Sequence, residues 1–204
     1  TGPDDVQLHG DPYFHYYSIQ NITNYVESIG CGETELLSTS SFSVDAGPDF
    51  YIPIGTPYTL SIIPLEGEEI TYAWEQLDSG QVTADNFGPY NPKGGMARSI
   101  PPKAEPSRTI PNLQSLLLNR LTLENPGVGD SWETVSLVER SLTWGLTVRK
   151  NTEDHVQLAQ DKMEISVVAT SSPFALNSQE MASLVWKGGS YQTILWDVAE
   201  TNSP

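Results

Sequence analysis

The chain has 204 residues, 38% of them hydrophobic, with five Trp and nine Tyr, so it can bury a core and is not disordered. Twenty-six Asp and Glu against ten Lys and Arg give a formal net charge of −16, which excludes nucleic acid and anionic membranes as partners. No apolar run approaches the length that spans a bilayer, so membrane insertion is not expected.

One cysteine, Cys31, rules out a disulfide framework within the chain and leaves its own pairing open. The sequence begins with Thr1-Gly2-Pro3 and has no initiating Met, from which we expect a processed or cut piece.

A helix is predicted near the N-terminus, with Ser18 as its N-cap and Gly30 and Gly32 ending it. Its apolar positions recur at helical spacing: Ile19, Ile22, Val26 and Ile29. Because an apolar stripe must be covered, this helix either packs on the rest of the chain or has lost its natural neighbour. Residues 33–43 are polar and predict a linker.

Short strands separated by Gly-Pro turns are predicted at 42–45, 50–54 and 58–63. The next strand, 70–78, alternates so that Ile70, Tyr72 and Trp74 share one face and Thr71, Ala73 and Glu75 share the other. We expect Trp74 in the middle of a core, with its indole N–H bonded to one acceptor.

Regularity lapses between Ser79 and Arg140, which predicts an insertion with structure of its own or a mobile loop. Within it, the spacing of apolar residues at 111–118 predicts a short helix beginning near Asn112. We expect this helix to plug one end of the core.

The last regular strands are predicted at 141–148, where Leu142, Trp144 and Leu146 face the core, and at 161–170. Together the strands predict a mainly β fold, an immunoglobulin-like antiparallel β-sandwich with an N-terminal helix and a long, partly helical insertion. Three further short strands are predicted in 172–204, at 174–176, 184–186 and 191–198. They are too few to form a core, so we expect the start of a second, incomplete β-sandwich module.

A series of blocks in this order resembles the region downstream of the zinc site in secreted bacterial reprolysin-like zinc metallopeptidases. The blocks are Val44–Pro57, Tyr72–Gln76, Arg98–Pro102, Ser107–Pro111 and Leu146–Arg149. Gly2–Gln7, Asp11–His15 and Ser18–Gln20 resemble the end of the catalytic domain of that family, and Thr193–Ala199 resembles the entry to its next module.

The resemblance implies a domain 1–34 that is the C-terminal remnant of a metallopeptidase catalytic domain, followed by an immunoglobulin-like domain 35–171 that contains the insertion 79–140. The family binds zinc through a His-Glu-x-x-His helix, and this motif occurs nowhere in the chain, so no catalytic residue, zinc site or other cofactor is assigned here. Relatives have an acidic turn before the Trp strand that implies calcium. The corresponding Glu66, Glu68 and Glu69 are weak calcium candidates, because three Glu favour a solvated turn.

Three other residues have alternative roles. His15 is either part of a substrate-binding wall in the intact protease or a member of a packed aromatic cluster with Tyr13, Phe14, Tyr16 and Tyr17, and the packed cluster is favoured. Arg98 and Arg108 either bind a carboxylate ligand or form structural ion pairs, and the many acidic residues favour ion pairs.

Two functions follow as hypotheses. The chain is a secreted or cell-surface, non-catalytic accessory region that supports or positions the catalytic domain of its parent protease. Alternatively, it is an adhesin-like or carbohydrate-binding module that binds a protein or glycan ligand, with Tyr90 and Trp132 as its platform. No catalytic set stands out by motif, so the chain by itself is not expected to be an enzyme.

Overall fold

The computed structural model describes residues 10–30, 32–33, 35, 42–67, 69–152, 155–170, 172, 174–178 and 184–201. Predictions for Cys31, Glu68, the first nine residues and most of the polar linker lie outside this part of the chain. The elements are α1 (Tyr16–Ser28), β1 (Phe50–Pro53), β2 (Tyr58–Ser61), β3 (Ile70–Gln76), β4 (Ser107–Ile110), α2 (Leu113–Leu117), β5 (Arg140–Asn151), β6 (Val156–Val168), β7 (Ala175–Leu176) and β8 (Trp196–Asp197). The mainly β class is confirmed.

The strands form a four-stranded sheet in the order β1-β6-β5-β3, a two-stranded sheet of β2 and β4, and a two-stranded pair of β7 and β8. All neighbouring strands are antiparallel except β1 and β6, which are parallel, so the antiparallel prediction is wrong for this pair. β1 and β6 are far apart in sequence, and no hairpin constrains their relative direction.

Two sheets, the four-stranded sheet and the sheet of β2 and β4, contribute to one cluster of buried side chains. Trp74 is 2% exposed, and its indole N–H donates to the carbonyl of Pro106 at 3.0 Å, as predicted. The predicted core positions Tyr72, Leu142, Trp144 and Leu146 are likewise buried, and in the second sheet they are joined by Tyr58, Leu60 and Ile110. Because alternate residues of a strand point to one face, the sequence pattern identified these positions correctly.

The other face of the four-stranded sheet is covered by the first turn of α1, where Tyr16 and Ile19 are buried. Gly145 makes this contact possible, because a Cβ there would lie 2.7 Å from Cδ2 of Tyr16. Ala73, which points away from the main core, is buried as well. The helix therefore packs on the sheet, which was one of the two predicted alternatives, but only through its first turn.

The helix begins at Tyr16 with His15 as N-cap, so the predicted cap Ser18 is wrong. His15 provides no side-chain cap hydrogen bond, and the Tyr16 N–H instead donates to Oε2 of Glu75 at 2.8 Å. A carboxylate from the sheet thus satisfies one of the N–H groups that a helix start leaves unpaired.

The insertion 79–140 differs from its prediction. It contains β4, and its helix α2 has only five residues, so a long helical insertion is not supported. The helix begins near Asn112, as predicted, and the Asn112 side chain caps it by accepting from the Ser115 N–H. However, α2 buries no residue and does not plug the core, whereas Ile110 and Pro111, just before it, are buried.

Two weaker strand predictions are also wrong. Residues 42–45 form no strand, and the Ala46 N–H that follows them donates to the Asp161 side chain at 2.8 Å instead of to a neighbouring strand. In the C-terminal part, Leu184–Trp186 forms no strand, and the predicted strands around it are reduced to β7 and β8, which pair over two residues each. Ladders this short make few cross-strand contacts to stabilise a third strand.

Candidate functional site

A buried carboxylate, Glu75 of β3, connects three separate parts of the chain. The side chain is on the sheet face opposite Trp74 and is buried. Oε1 accepts from Ser99 Oγ at 2.9 Å and lies 2.5 Å from Nδ1 of His15, while Oε2 accepts from the Tyr16 N–H. A buried carboxylate is stable only with such donors, so Glu75 fixes His15, Tyr16 and Ser99 together.

Aromatic and cationic groups surround this carboxylate. The Tyr13 hydroxyl donates to the Ile100 carbonyl at 3.0 Å, and its ring packs edge-on against His15 at 4.7 Å. Burial, and then the Glu75 charge, raise the pKa of Tyr13. Arg149 donates to the Phe14 carbonyl at 2.6 Å and lies 6.0 Å from the Tyr13 ring, and burial lowers the pKa of its guanidinium. The packed-cluster alternative for His15 is therefore the one that the contacts favour.

His15 also borders an open cleft of about 400 Å³, together with Asp11, Arg98 and Ser99. Its side chain is 43% exposed there. The Ser99 hydroxyl donates to Glu75 and not to His15, so both residues bind the same carboxylate oxygen.

Arg108 of β4 forms an ion pair with Glu133 at 2.9 Å, with both side chains buried. Its guanidinium also donates to the carbonyls of Trp74 and Arg98, each at 2.6 Å, and lies over the Trp144 ring at 5.4 Å. The ion-pair prediction for Arg108 is confirmed. The Arg98 carbonyl accepts from Arg108 in this network, and the Arg98 side-chain Nε donates to the Ser99 carbonyl.

The acidic turn before β3 has Glu66 and Glu69 exposed, and Glu69 adopts a φ of 54°. Within the described ranges, no group of three or more His, Cys, Asp or Glu side chains is placed to hold a metal ion.

The two aromatic residues of the predicted platform lie in different environments. Tyr90 is 63% exposed, whereas Trp132 is 2% exposed. The Trp132 ring packs on Phe87 at 5.2 Å, and its indole N–H donates to the Gly127 carbonyl at 3.0 Å. The prediction of Trp132 as a surface platform is therefore wrong, and only Tyr90 is available to a ligand.

Sequence reasoning missed the role of Glu75 and Ser99. One signal was present, because Glu75 is an acidic residue that directly follows Tyr72–Trp74 in the strand that was assigned to the core. Its partners His15 and Ser99 are far away in sequence and on irregular segments, and no local pattern links them.

Comparisons of the chain with protein-family models, with curated proteins and with solved structures find no match. Of the helices in the described part of the chain, none has the length and apolar character that crossing a membrane requires.

Proposed function

We propose that this chain is a non-catalytic accessory region of a secreted or cell-surface reprolysin-like zinc metallopeptidase, which supports or positions the catalytic domain. The observation that carries this proposal is that α1 is only partly covered by the rest of the chain. Its first turn is anchored to the four-stranded sheet, while the rest of its apolar stripe faces solvent. Such a helix is suited to connect the sheet to a neighbouring domain.

In this proposal the four-stranded sheet and the sheet of β2 and β4 form an immunoglobulin-like β-sandwich. Two observations support it. From β1 to β5 the consecutive strands alternate between the two sheets, as in domains with Greek-key connections, and β6 then pairs with β5 in the four-stranded sheet. The buried side chains of both sheets also form a single cluster, which is the core that face-to-face sheets share.

The anchor of α1 is specific. Besides the Glu75 contacts, Gln160 of β6 donates from Nε2 to the Tyr16 carbonyl at 3.2 Å and to Thr147 Oγ1 at 3.0 Å. Tyr17 donates to the Leu77 carbonyl at 3.4 Å. These bonds fix the direction in which the helix leaves the sheet, as a rigid connector requires.

The exposed part of the helix carries large apolar side chains: Ile22 is 48% exposed, Tyr25 66%, Val26 57% and Ile29 38%. A helical stripe of this kind is normally covered by another element. In this proposal the catalytic domain covers the stripe, because Asp11–His15 and Ser18–Gln20 resemble the end of a metallopeptidase catalytic domain.

The test begins with casein hydrolysis by the chain alone, for which we expect no activity. Casein hydrolysis that 1,10-phenanthroline abolishes would overturn the proposal. The longer gene product, expressed with its upstream sequence, is expected to hydrolyse casein in a zinc-dependent manner.

In that longer protein, Val26→Asp is expected to lower the melting temperature of the catalytic domain by several degrees, because a carboxylate would be buried at the interface. The matched control is Asn24→Asp, which places the same charge on the opposite, polar side of α1 and should leave the melting temperature unchanged. Equal effects of the two variants would contradict an interface at the apolar stripe.

A further inference from the structure

A second open cleft, of about 560 Å³, lies in the insertion and is built around the exposed Tyr90. We call it the Tyr90 cleft and define it by Gln81, Asp85, Tyr90, Lys93, Glu124 and Asn125. It draws on two segments of the insertion, 80–93 and 124–125, which the fold brings together. None of these residues belongs to the anchor of α1.

Hydrogen bonds from side chains hold the backbone around the cleft in place. Asn86 accepts from the Thr83 N–H at 2.7 Å and donates to the Gln81 carbonyl at 3.2 Å. Asn91 donates to the Asn86 carbonyl at 3.1 Å. From the sheet, Arg140 donates to the carbonyls of Asn91 at 2.9 Å and Gly94 at 2.7 Å. The cleft is therefore preformed, which reduces the entropy lost when a ligand binds.

The exposed side chains of the cleft, by contrast, form no hydrogen bonds within the described part of the chain. Tyr90 is 63% exposed, and its hydroxyl makes no hydrogen bond to any described residue. The side chains of Gln81, Asp85, Lys93, Glu124 and Asn125 are exposed and likewise have no hydrogen bond or ion pair within the described part of the chain. An exposed aromatic ring surrounded by free donors and acceptors is an arrangement that serves ligands and not folding.

Charge selects among ligand classes. The cleft has two carboxylates, Asp85 and Glu124, against one ammonium group, Lys93, in a chain of net charge −16. This balance opposes sulfated or phosphorylated polymers. A neutral sugar ring has an apolar C–H face that stacks on a Tyr ring, and its hydroxyls both donate and accept, which matches the carboxylate, amide and ammonium groups present.

We propose that the Tyr90 cleft binds a neutral saccharide, with Tyr90 stacking on a sugar ring and the surrounding polar side chains bonding to its hydroxyls. The evidence for the saccharide site comes from the Tyr90 cleft and not from the proposed accessory role, so one proposal can be wrong while the other holds. In a secreted protein it would hold the chain on a polysaccharide surface.

The test is isothermal titration of the chain with cellohexaose, chitohexaose, laminarihexaose, maltohexaose, xylohexaose and mannohexaose, and with heparin as the anionic probe. We expect at least one neutral oligosaccharide to bind with a dissociation constant below about 1 mM, and heparin not to bind. Tyr90→Ala should weaken that binding at least about tenfold, and Tyr90→Phe, which keeps the ring, by less than Tyr90→Ala.

Tyr51→Ala is the matched control, since Tyr51 is a similarly exposed tyrosine, 53%, that lies on β1 outside the cleft. It should leave the affinity unchanged, and circular dichroism should show that both alanine variants are folded. The proposal is overturned if no neutral probe binds, if heparin binds more tightly than all of them, or if Tyr90→Ala binds as the wild type does.

Discussion

Two buried carboxylates, Glu75 and Glu133, join segments that are distant in the chain. Glu75 holds the N-terminal segment on the sheet through His15 and Tyr16. Glu133 uses one oxygen to pair with Arg108 and the other to accept from both the backbone and the side-chain N–H groups of Asn112. An ion pair away from water stabilises a fold weakly, but losing one partner leaves an uncompensated charge in the interior.

We predict that Glu133→Gln lowers the free energy of unfolding by about 3–5 kcal/mol. The amide keeps the shape of the carboxylate but leaves Arg108 without a counter-charge. It also turns an N–H group toward the Asn112 donors, so those hydrogen bonds are lost. Urea denaturation followed by Trp fluorescence measures the change.

Glu27→Gln is the control for this variant, because Glu27 is exposed on α1. It should change the free energy of unfolding by less than about 0.5 kcal/mol. If Glu133→Gln were as stable as this control, the Arg108–Glu133 pair would not contribute to the fold as described.

At the scale of elements, the contact between α1 and the four-stranded sheet decides where the helix points. It depends on Gly145, whose hydrogen side chain allows the Tyr16 ring and the Leu77 side chain to meet the strand. A Cβ at this position would lie 2.7 Å from Tyr16 and 2.8 Å from Leu77, closer than van der Waals contact permits.

We predict that Gly145→Ala destabilises the protein by about 1–3 kcal/mol, because the added methyl group overpacks this contact. Since the clash is with the helix, we also expect faster amide hydrogen exchange in Tyr16–Ile19 than in the wild type. Hydrogen exchange followed by mass spectrometry separates this local effect from a general loss of stability.

Gly95→Ala is the matched control, because a Cβ at Gly95 meets no atom within 4 Å. It should leave both the stability and the exchange of α1 unchanged. Unaltered exchange at Tyr16–Ile19 in Gly145→Ala would mean that the helix does not depend on this glycine.

At the scale of the whole molecule, the net charge of −16 opposes compactness, because folding brings like charges closer together. Asp78 adds to this effect. Burial raises the pKa of its carboxyl above the ordinary 3.8, although Gln76 and the Thr143 N–H donate to it and Arg140 lies 3.7 Å away. A raised folded-state pKa stabilises the protein below the unfolded-state value, and this contribution is lost as the pH rises through the folded-state value.

We therefore predict that the melting temperature rises as the pH falls from 8 to about 5, since protonation reduces the repulsion, and the protonation of Asp78, at a pH above 3.8, acts in the same direction. Sodium chloride at about 0.5 M should also raise the melting temperature at pH 8, because salt screens exposed charges. Differential scanning calorimetry at several pH and salt values checks both. This account would be contradicted if the melting temperature fell steadily from pH 8 to 5, or if added salt left it unchanged at pH 8.

The sequence alone determined the parts of this protein whose physics is local. The alternation around Trp74 and in β5 showed which side chains face the main core, because a strand turns successive residues to opposite faces. Helical spacing of apolar residues located α1 and α2. The high acidity was evident from composition.

Only the tertiary structure decided the rest, because contacts between distant residues leave no local pattern. The parallel pairing of β1 with β6, the burial of Trp132 and the exposure of α2 depend on what else fills the same space. Glu75 gained its role when His15 and Ser99 reached it from two other segments. The Tyr90 cleft likewise exists because folding brings Glu124 and Asn125 beside residues 80–93.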